Sequence, residues 1–328
     1  MSKWKLARYL LVAAFVLFAA WQVRPYIRDL VSLFQHKGLD YLWLSAAVVA
    51  QILQYVMDGF VLRSLLKILG YTVKLKHTIE IAVLDVFGIN FLPVGGFGSL
   101  VAFVYFYRRL GVRTHALVFL NVLSGFADAT VLVGVFIISA IALRGTTFSI
   151  PLQTYALGAL ALMAPVLLVI ALLLMQSWSF RGNLNILLHR YGWFQTVLRN
   201  LDLMQEMSKD TKQQRPKFVA ELLTKNFLYH LTDMFILFAG GLAFHEFIPP
   251  FLVIFAYVVS LTVGMVSFLP GGIGAVDAVL LLILTAAEVR PSVALGVVLL
   301  NRVVSYLLPT LLGAIAYLLL RRELRART

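Results

Sequence analysis

The chain contains no cysteine among its 328 residues. This excludes disulfide bonds, thiolate metal sites and cysteine nucleophiles. Charge is also scarce, because only 13% of the residues are Asp, Glu, Lys or Arg, and the six histidines show no metal-ligand spacing. A P-loop, a nucleophilic serine elbow and a dinucleotide fingerprint are missing too. We therefore expect no metal, no cofactor and no catalytic residues, and the protein is not expected to be an enzyme.

Hydrophobic residues make up 61% of the chain, and the mean hydropathy is +0.90. A soluble domain of this length cannot bury so much apolar surface, so the composition predicts a multi-pass membrane protein. The net charge of +13 would suggest nucleic acid as a partner of a soluble protein. Here most Lys and Arg lie between apolar segments, where they indicate topology and contacts with lipid headgroups, and no nucleic acid is expected.

Two related Pro-Gly sequences interrupt hydrophobic segments: FLPVGGFG at residues 91–98, the first break, and FLPGGIG at residues 268–274, the second break. Both are followed at a matching distance by Val-Arg, as Val112-Arg113 and Val289-Arg290. Paired interruptions in corresponding halves are typical of discontinuous membrane helices that meet at a central site. The sequence therefore predicts one integral domain over 1–328 with two repeats, at about 41–143 and 218–320.

Apolar runs of about 20 residues, the length that crosses a bilayer, predict an all-α fold with about six full spans: 6–23, 41–66, 114–143, 152–175, 218–243 and 291–320. The segments beside the breaks differ, because their shorter arms of roughly 11 to 15 residues reach only about 16–22 Å. We predict re-entrant helical hairpins with these arms: 78–92 and 99–109 in the first, 248–269 and 276–287 in the second.

Basic clusters predict the orientation of the chain. Five clusters all fall on the cytoplasmic side if the first hairpin enters and leaves there: those at 3–8, 63–76, 108–113, 177–217 and 321–327. The second hairpin then faces the other side, which makes the repeat inverted. We expect both termini in the cytoplasm and a bacterial-type cytoplasmic (inner) membrane. The 177–217 connection is either an interfacial helix or a cytoplasmic linker.

Broken helices expose unpaired backbone N–H groups and the positive end of a helix dipole. Near the middle of a membrane, such an end can hold a phosphate or a carboxylate. The alternative is that the glycines only let helices pack closely. The candidate substrate-binding residues are Pro93, Gly95, Gly96, Gly98, Pro270, Gly271, Gly272, Gly274, Asp277 and Arg302.

Charged residues inside predicted segments cost about 2.5–3.5 kcal/mol each at a helix centre, so each needs a partner or water. Arg302 lies about 11 residues into a predicted span, too deep to reach either surface easily. Two roles stay open for it: phosphate binding, or an ion pair with Asp277 or Asp233. The other candidates are coupling or structural charges: Asp58, Asp128, Lys225 and Asp233.

The second break and the helix that follows carry a specific pattern: Pro270-Gly271-Gly272-Ile273-Gly274, then Asp277, Arg302, Leu308-Pro309 and Gly313. In this pattern the chain resembles the flippase-like family that includes the membrane domain of lysylphosphatidylglycerol synthetase/flippases. In the first half, Ser99 and Leu100 stand where that family often has an acidic residue and an Arg. The synthetase activity belongs to a separate soluble domain, so the resemblance implies the transport half only.

The resemblance implies movement of lipids between leaflets. We therefore expect a translocase of an anionic or zwitterionic phospholipid, or of a lipid-linked headgroup. Two other classes stay open: a membrane-embedded lipid-modifying enzyme, and an accessory subunit of a lipid-biosynthetic complex. The expected partner is the membrane lipid, with a lipid-biosynthetic enzyme and a second copy of the chain as further candidates.

The absence of native cysteine allows a direct test of the predicted orientation. Single cysteines placed in 70–76 and in 108–113 should react with a membrane-impermeant thiol reagent from the cytoplasmic side only, because both basic clusters are expected there. Labelling of the two regions from opposite sides would rule out the first hairpin and, with it, the inverted repeat.

Overall fold

The computed structural model describes residues 38–91, 96–143, 215–267 and 270–325. These residues form helices and their connections, without a β-strand among them. The predicted spans at 6–23 and 152–175 lie outside the described residues, as do Pro93, Gly95 and the 177–217 connection up to residue 214.

The helices form two series that match the predicted segments. The first series contains α1 (Tyr41–Ile68), α2 (Leu75–Phe91), α3 (Gly96–Arg109) and α4 (Thr114–Leu143). The second contains α5 (Arg215–Ala243), α6 (Pro250–Val266), a short 3₁₀ turn (Pro270–Gly272), α7 (Ala275–Ala286), α8 (Pro291–Arg302), a π-helical segment (Val303–Leu307) and α9 (Leu308–Arg325). The all-helical prediction is confirmed for the described residues.

Within the described residues, three helices are long and apolar enough to cross a membrane: Tyr41–Ile68, Thr114–Leu143 and the continuous run Pro291–Glu323. Helix α1 carries its polar side chains inward, since Gln51, Gln54 and Asp58 are buried while Leu53 and Phe60 are both 53% exposed. This distribution is the reverse of that in a soluble protein and fits a helix whose outer face meets lipid.

The two series repeat the same helix endings. At the end of α1, the N–H of Gly70 donates to the carbonyl of Lys67 (3.0 Å) and that of Tyr71 to Leu66 (2.9 Å). This pair of bonds is a Schellman motif, which places Gly70 at positive φ (83°). Helices α3, α5 and α7 end in the same way, with positive φ at Gly111, His245 and Glu288.

Helix packing between the series is reciprocal. Helices α1 and α5, which open the two series, lie side by side. Helix α2 of the first series packs on α9 of the second, and α6 of the second packs on α4 of the first. Accordingly, Leu320 of α9 belongs to the core around α2 and α3, while Leu132 of α4 belongs to the core around α6 and α8. Each series thus completes the core of the other.

The contact between α1 and α2 leaves no room for a side chain at Gly59. A Cβ there would lie 2.9 Å from backbone atoms of Ile79, which is too close to be relieved by a side-chain rotation. Gly59→Ala should therefore destabilise the folded protein by about 1–3 kcal/mol, measured by thermal unfolding in detergent. Gly125→Ala is the matched control, because a Cβ on that helical glycine meets none of the described residues within 4 Å. Equal unfolding temperatures for both variants would contradict the close approach.

Candidate functional site

The second break is a turn that only glycine adopts readily. Gly271, Gly272 and Gly274 all have positive φ, at 56°, 61° and 84°. Helix α6 ends at Val266 and α7 begins at Ala275, and the two helices pack against each other across this short connection. The chain therefore reverses direction between them. The turn itself lies against α2 and α6. The predicted interruption is therefore present, with α7 beginning at Ala275, one residue before the predicted arm at 276.

Arg302, the final residue of α8, holds this turn in place. Its Nε donates to Oδ1 of Asp277 (2.5 Å), and its Nη1 and Nη2 donate to the carbonyls of Gly271 (3.0 Å) and Gly272 (3.3 Å). A guanidinium has five N–H donors, so these three bonds leave two. The Arg302 side chain is 19% exposed, and its guanidinium also lies over the ring of Tyr306.

Asp277 joins the two sides of the break. Its Oδ1 accepts from Arg302, and its Oδ2 accepts from the backbone N–H of Gly274 (2.9 Å), at the start of α7. A carboxylate at this place also offsets the positive end of the helix dipole. Of the two ion-pair partners considered for Arg302, the structure pairs it with Asp277 and not with Asp233. We call Gly271, Gly272, Gly274, Asp277 and Arg302 the break site.

Close packing accounts for Gly272 independently of any ligand. A Cβ there would meet Cγ2 of Val276 at 2.5 Å and the Cα of Gly264 in α6 at 3.3 Å. This supports the packing alternative for Gly272. On the first break, Gly96 and Gly98 lie in the first turn of α3. The second break packs against α2, the helix that ends at Phe91, where the first break begins.

A second polar region lies between α1 and α5. Lys225 Nζ is 3.8 Å from Oδ1 of Asp58, and both side chains are largely buried. They line a shallow open cleft together with Gln54, Tyr229, Thr232 and apolar side chains. Its cavity volume of about 10 Å³ is room for about one water molecule, far less than a ligand pocket needs. The π-helical segment that follows Arg302 packs against both α1 and α5, so this cleft and the break site share a structural neighbour.

Asp128 and Asp233 are the two ends of one hydrogen-bonded chain of side chains. Oδ1 of Asp128 on α4 lies 2.8 Å from Nε2 of His230 on α5, and Nδ1 of His230 lies 2.7 Å from the hydroxyl of Tyr257 on α6. The Tyr257 hydroxyl lies 3.1 Å from Oδ2 of Asp233 on α5. We call these four residues the polar chain. His230 and Tyr257 are buried, whereas both aspartates are partly exposed.

Sequence reasoning missed His230 and Tyr257. Both signals were nonetheless present: His230 stands one helical turn before Asp233, and Tyr257 is the single titratable residue of the otherwise apolar α6. Their meaning depends on three helices coming together, which no local pattern indicates. Pro93 and Gly95, predicted at the first break, lie outside the described residues.

One group of potential metal ligands lies away from these sites. His77, Glu80 and Glu323 bring ligand atoms within 4.8 Å of one another where α2 meets α9. Lys76 already pairs with both carboxylates of this group, because its ammonium lies 2.9 Å from Glu323 and 3.6 Å from Glu80. A bound cation would have to displace that lysine, so the group carries no assignment, and the expected absence of a metal stays a prediction.

The apolar outer faces, the candidate spans and the polar interior define a multi-pass helical membrane protein. Residues 5–313 match the model of the family described as "Lysylphosphatidylglycerol synthase TM region". The chain belongs to this family, as the break-site pattern predicted. It is also similar to the UPF0104 membrane protein MJ1595 of Methanocaldococcus jannaschii, with 26% identity over 96% of this chain and 95% of that protein. No solved structure matches the chain.

The break site predicts a specific double-mutant cycle. Arg302→Met and Asp277→Leu should each lower the free energy of unfolding by on the order of 3 kcal/mol, because each leaves a partly buried charge unpaired. The double variant should recover only part of this loss, since the carbonyls of Gly271 and Gly272 still lack their donor, at about 1–3 kcal/mol. Thermal unfolding of all four proteins measures both effects.

The pair Arg290 and Glu246 provides the control for this cycle. It joins two helix connections at a more exposed place, where the Arg290 side chain is 46% exposed. Neutralising both of these residues should change stability by less than about 1 kcal/mol. Wild-type stability of Arg302→Met would show that Arg302 does not hold the break together.

Proposed function

We propose that this protein moves a lipid with an anionic or zwitterionic headgroup between the leaflets of the cytoplasmic membrane. The observation that carries the proposal is the break site, where a guanidinium is held against two glycine carbonyls inside a membrane protein. Membership of a family named for the membrane region of a lipid synthase supports a lipid as the substrate.

The break site offers a lipid phosphate both positive charge and directed hydrogen-bond donors. Arg302 has two N–H groups that do not bond to Asp277 or to the glycine carbonyls. They can donate to phosphate oxygens, which a guanidinium binds with two parallel bonds. Asp277 stays in place beside the phosphate, where it can also accept from the ammonium group of a zwitterionic headgroup.

In the mechanism we propose, the headgroup stays at the break site while the acyl tails remain in the bilayer. The two helix series rock about it and expose it to one leaflet and then to the other, as inverted repeats do in transporters. In this scheme the hairpins are re-entrant, and both termini lie in the cytoplasm, as the basic clusters indicate. The reciprocal packing of α2 on α9 and α6 on α4 supplies two surfaces that can shift together.

Reconstitution into vesicles with headgroup-labelled phospholipids tests the proposal. A membrane-impermeant quencher reports which labelled lipids have reached the outer leaflet, and mass spectrometry reports whether any lipid has changed chemically. Exchange without chemical change supports transport. A chemically changed lipid would instead support a lipid-modifying enzyme, and neither effect with any phospholipid tested would support an accessory subunit.

Arg302→Lys gives the sharper test of the site. Lysine keeps the charge but presents a point charge in place of a planar fork, so it cannot bind phosphate and both carbonyls in the same way. We expect the exchange rate to fall about ten- to a hundredfold, as the loss of a charge-assisted hydrogen bond predicts. Arg290→Lys is the control, because that arginine pairs with Glu246 away from the break. Equal exchange rates for both variants, at normal thermal stability, would remove Arg302 from the lipid site.

A further inference from the structure

The polar chain carries an inference beyond the identity of the lipid. From the geometry of Asp128, His230, Tyr257 and Asp233, we infer that this chain binds one transferable proton and couples its movement to the movement of the lipid. The coupling rests on the function proposed above, whereas the proton site itself does not.

The number of protons in the chain follows from its three hydrogen bonds. Each bond needs one hydrogen, so three hydrogens must lie between the four side chains. A neutral histidine and a tyrosine supply one each, and an ionised aspartate supplies none. One further proton is therefore required to complete the chain. Without it, two carboxylates face each other across a buried His230 and Tyr257, with one bond unmade and a net charge of −2.

The added proton can lie at either end. With Asp128 protonated, Asp128 donates to Nε2 of His230, Nδ1–H of His230 donates to Tyr257, and Tyr257 donates to Asp233. If the proton of each bond crosses to its acceptor, Asp233 becomes protonated and donates to Tyr257, Tyr257 donates to Nδ1, and Nε2–H donates to ionised Asp128. Every O–H or N–H bond that breaks is replaced by one that forms, and the net charge stays −1. The chain therefore passes one proton from Asp128 to Asp233 without a gap.

Exposure matches this role. His230 is 2% exposed and Tyr257 is 7% exposed, whereas the side chain of Asp128 is 28% exposed. Asp233 at the other end is also partly exposed. The two ends of the chain are thus more accessible than its middle. A purely structural network would need no accessible carboxylate at either end.

The surrounding charges act on the same proton. On α1, the carboxylate of Asp58 acts electrostatically on both His230 and Asp233, and Lys225 on α5 partly compensates it. The hydroxyls of Tyr55 on α1 and Tyr229 on α5 lie within the field of Asp233. Helix α8 and the π-helical segment also pack against α5. Their ionisable groups are Arg302, which is paired with Asp277, and Tyr306, whose ring lies under the guanidinium. Arg290, just before α8, pairs with Glu246.

The polar chain also spans the boundary that must move during transport. Asp128 belongs to the first helix series, and His230, Tyr257 and Asp233 belong to the second. A shift of α4 relative to α5 and α6 breaks the bond between Asp128 and His230. Binding of the proton therefore favours the arrangement of the two series in which this bond is made. Coupling requires a proton whose binding depends on the arrangement of the two helix series.

Proton binding can be tested without transport. Nitrogen NMR of ¹⁵N-labelled histidine in lipid nanodiscs, assigned by loss of the signal in His230→Gln, reports the charge and tautomer of His230. We expect this signal to change with pH and to shift in Asp233→Asn. In a Tyr257→Phe background the shift caused by Asp233→Asn should be smaller, because only the direct electrostatic effect of Asp233 on His230 remains. Tyr107→Phe is the control, since that buried hydroxyl has no hydrogen-bond partner among the described residues.

Coupling is tested in vesicles that carry both a headgroup-labelled lipid and an internal pH indicator. If one proton moves per lipid, a gradient of about one pH unit should shift the steady-state ratio of the lipid between leaflets about tenfold. Lipid movement should also change the internal pH. In Tyr257→Phe both effects should disappear, and Tyr107→Phe should behave as the wild type.

The outcomes separate the two proposals. A His230 signal that stays constant with pH overturns the proton site, whatever the lipid assay shows. Lipid exchange that ignores the pH gradient overturns coupling and leaves the transport proposal intact. If no labelled lipid moves at all, the transport proposal and the coupling both fail, while the NMR measurement still decides whether the polar chain binds a proton.

Discussion

A break between two apolar helices frees backbone groups that need hydrogen-bond partners, and the contacts between the second break, α7 and α8 are arranged around that constraint. Arg302 supplies donors to the carbonyls of Gly271 and Gly272, and Asp277 supplies an acceptor to the N–H of Gly274. The two side chains then neutralise each other. This set of bonds lets the chain turn between α6 and α7 with these polar groups paired, and it also leaves part of a guanidinium accessible.

Polar groups elsewhere in the interior follow the same rule, with different results. Asp58 and Lys225 form a charge pair beside an open cleft, whereas Asp128, His230, Tyr257 and Asp233 form an anionic chain that needs a proton to be complete. Two fixed charges satisfy the first arrangement. The second is satisfied only when a proton, which can also leave, is bound. Structural and functional polar groups in a membrane interior thus differ in whether their hydrogen bonds and charges are satisfied by fixed side chains or by a mobile proton.

The sequence was sufficient to predict the helices of the described residues and the second break, because length, continuity and Pro-Gly interruptions act locally. The pairing of Arg302 with Asp277 stayed open, since choosing it over Asp233 requires knowing which helix end faces the turn. The polar chain was missed because its bonds join residues 27 and 102 positions apart in the chain. Long-range packing decides such partners, and a single sequence carries no record of it.

The exchange of partners between the two helix series has a consequence for biosynthesis. Helix α2 finds its packing surface on α9, which begins more than 200 residues later, with Gly313 fitting against Phe87. While the ribosome is still making α9, that surface of α2 has no permanent cover. The surface of the early helices must therefore contact lipid or the insertion machinery at first, and the fold is complete only when the later helices have been inserted.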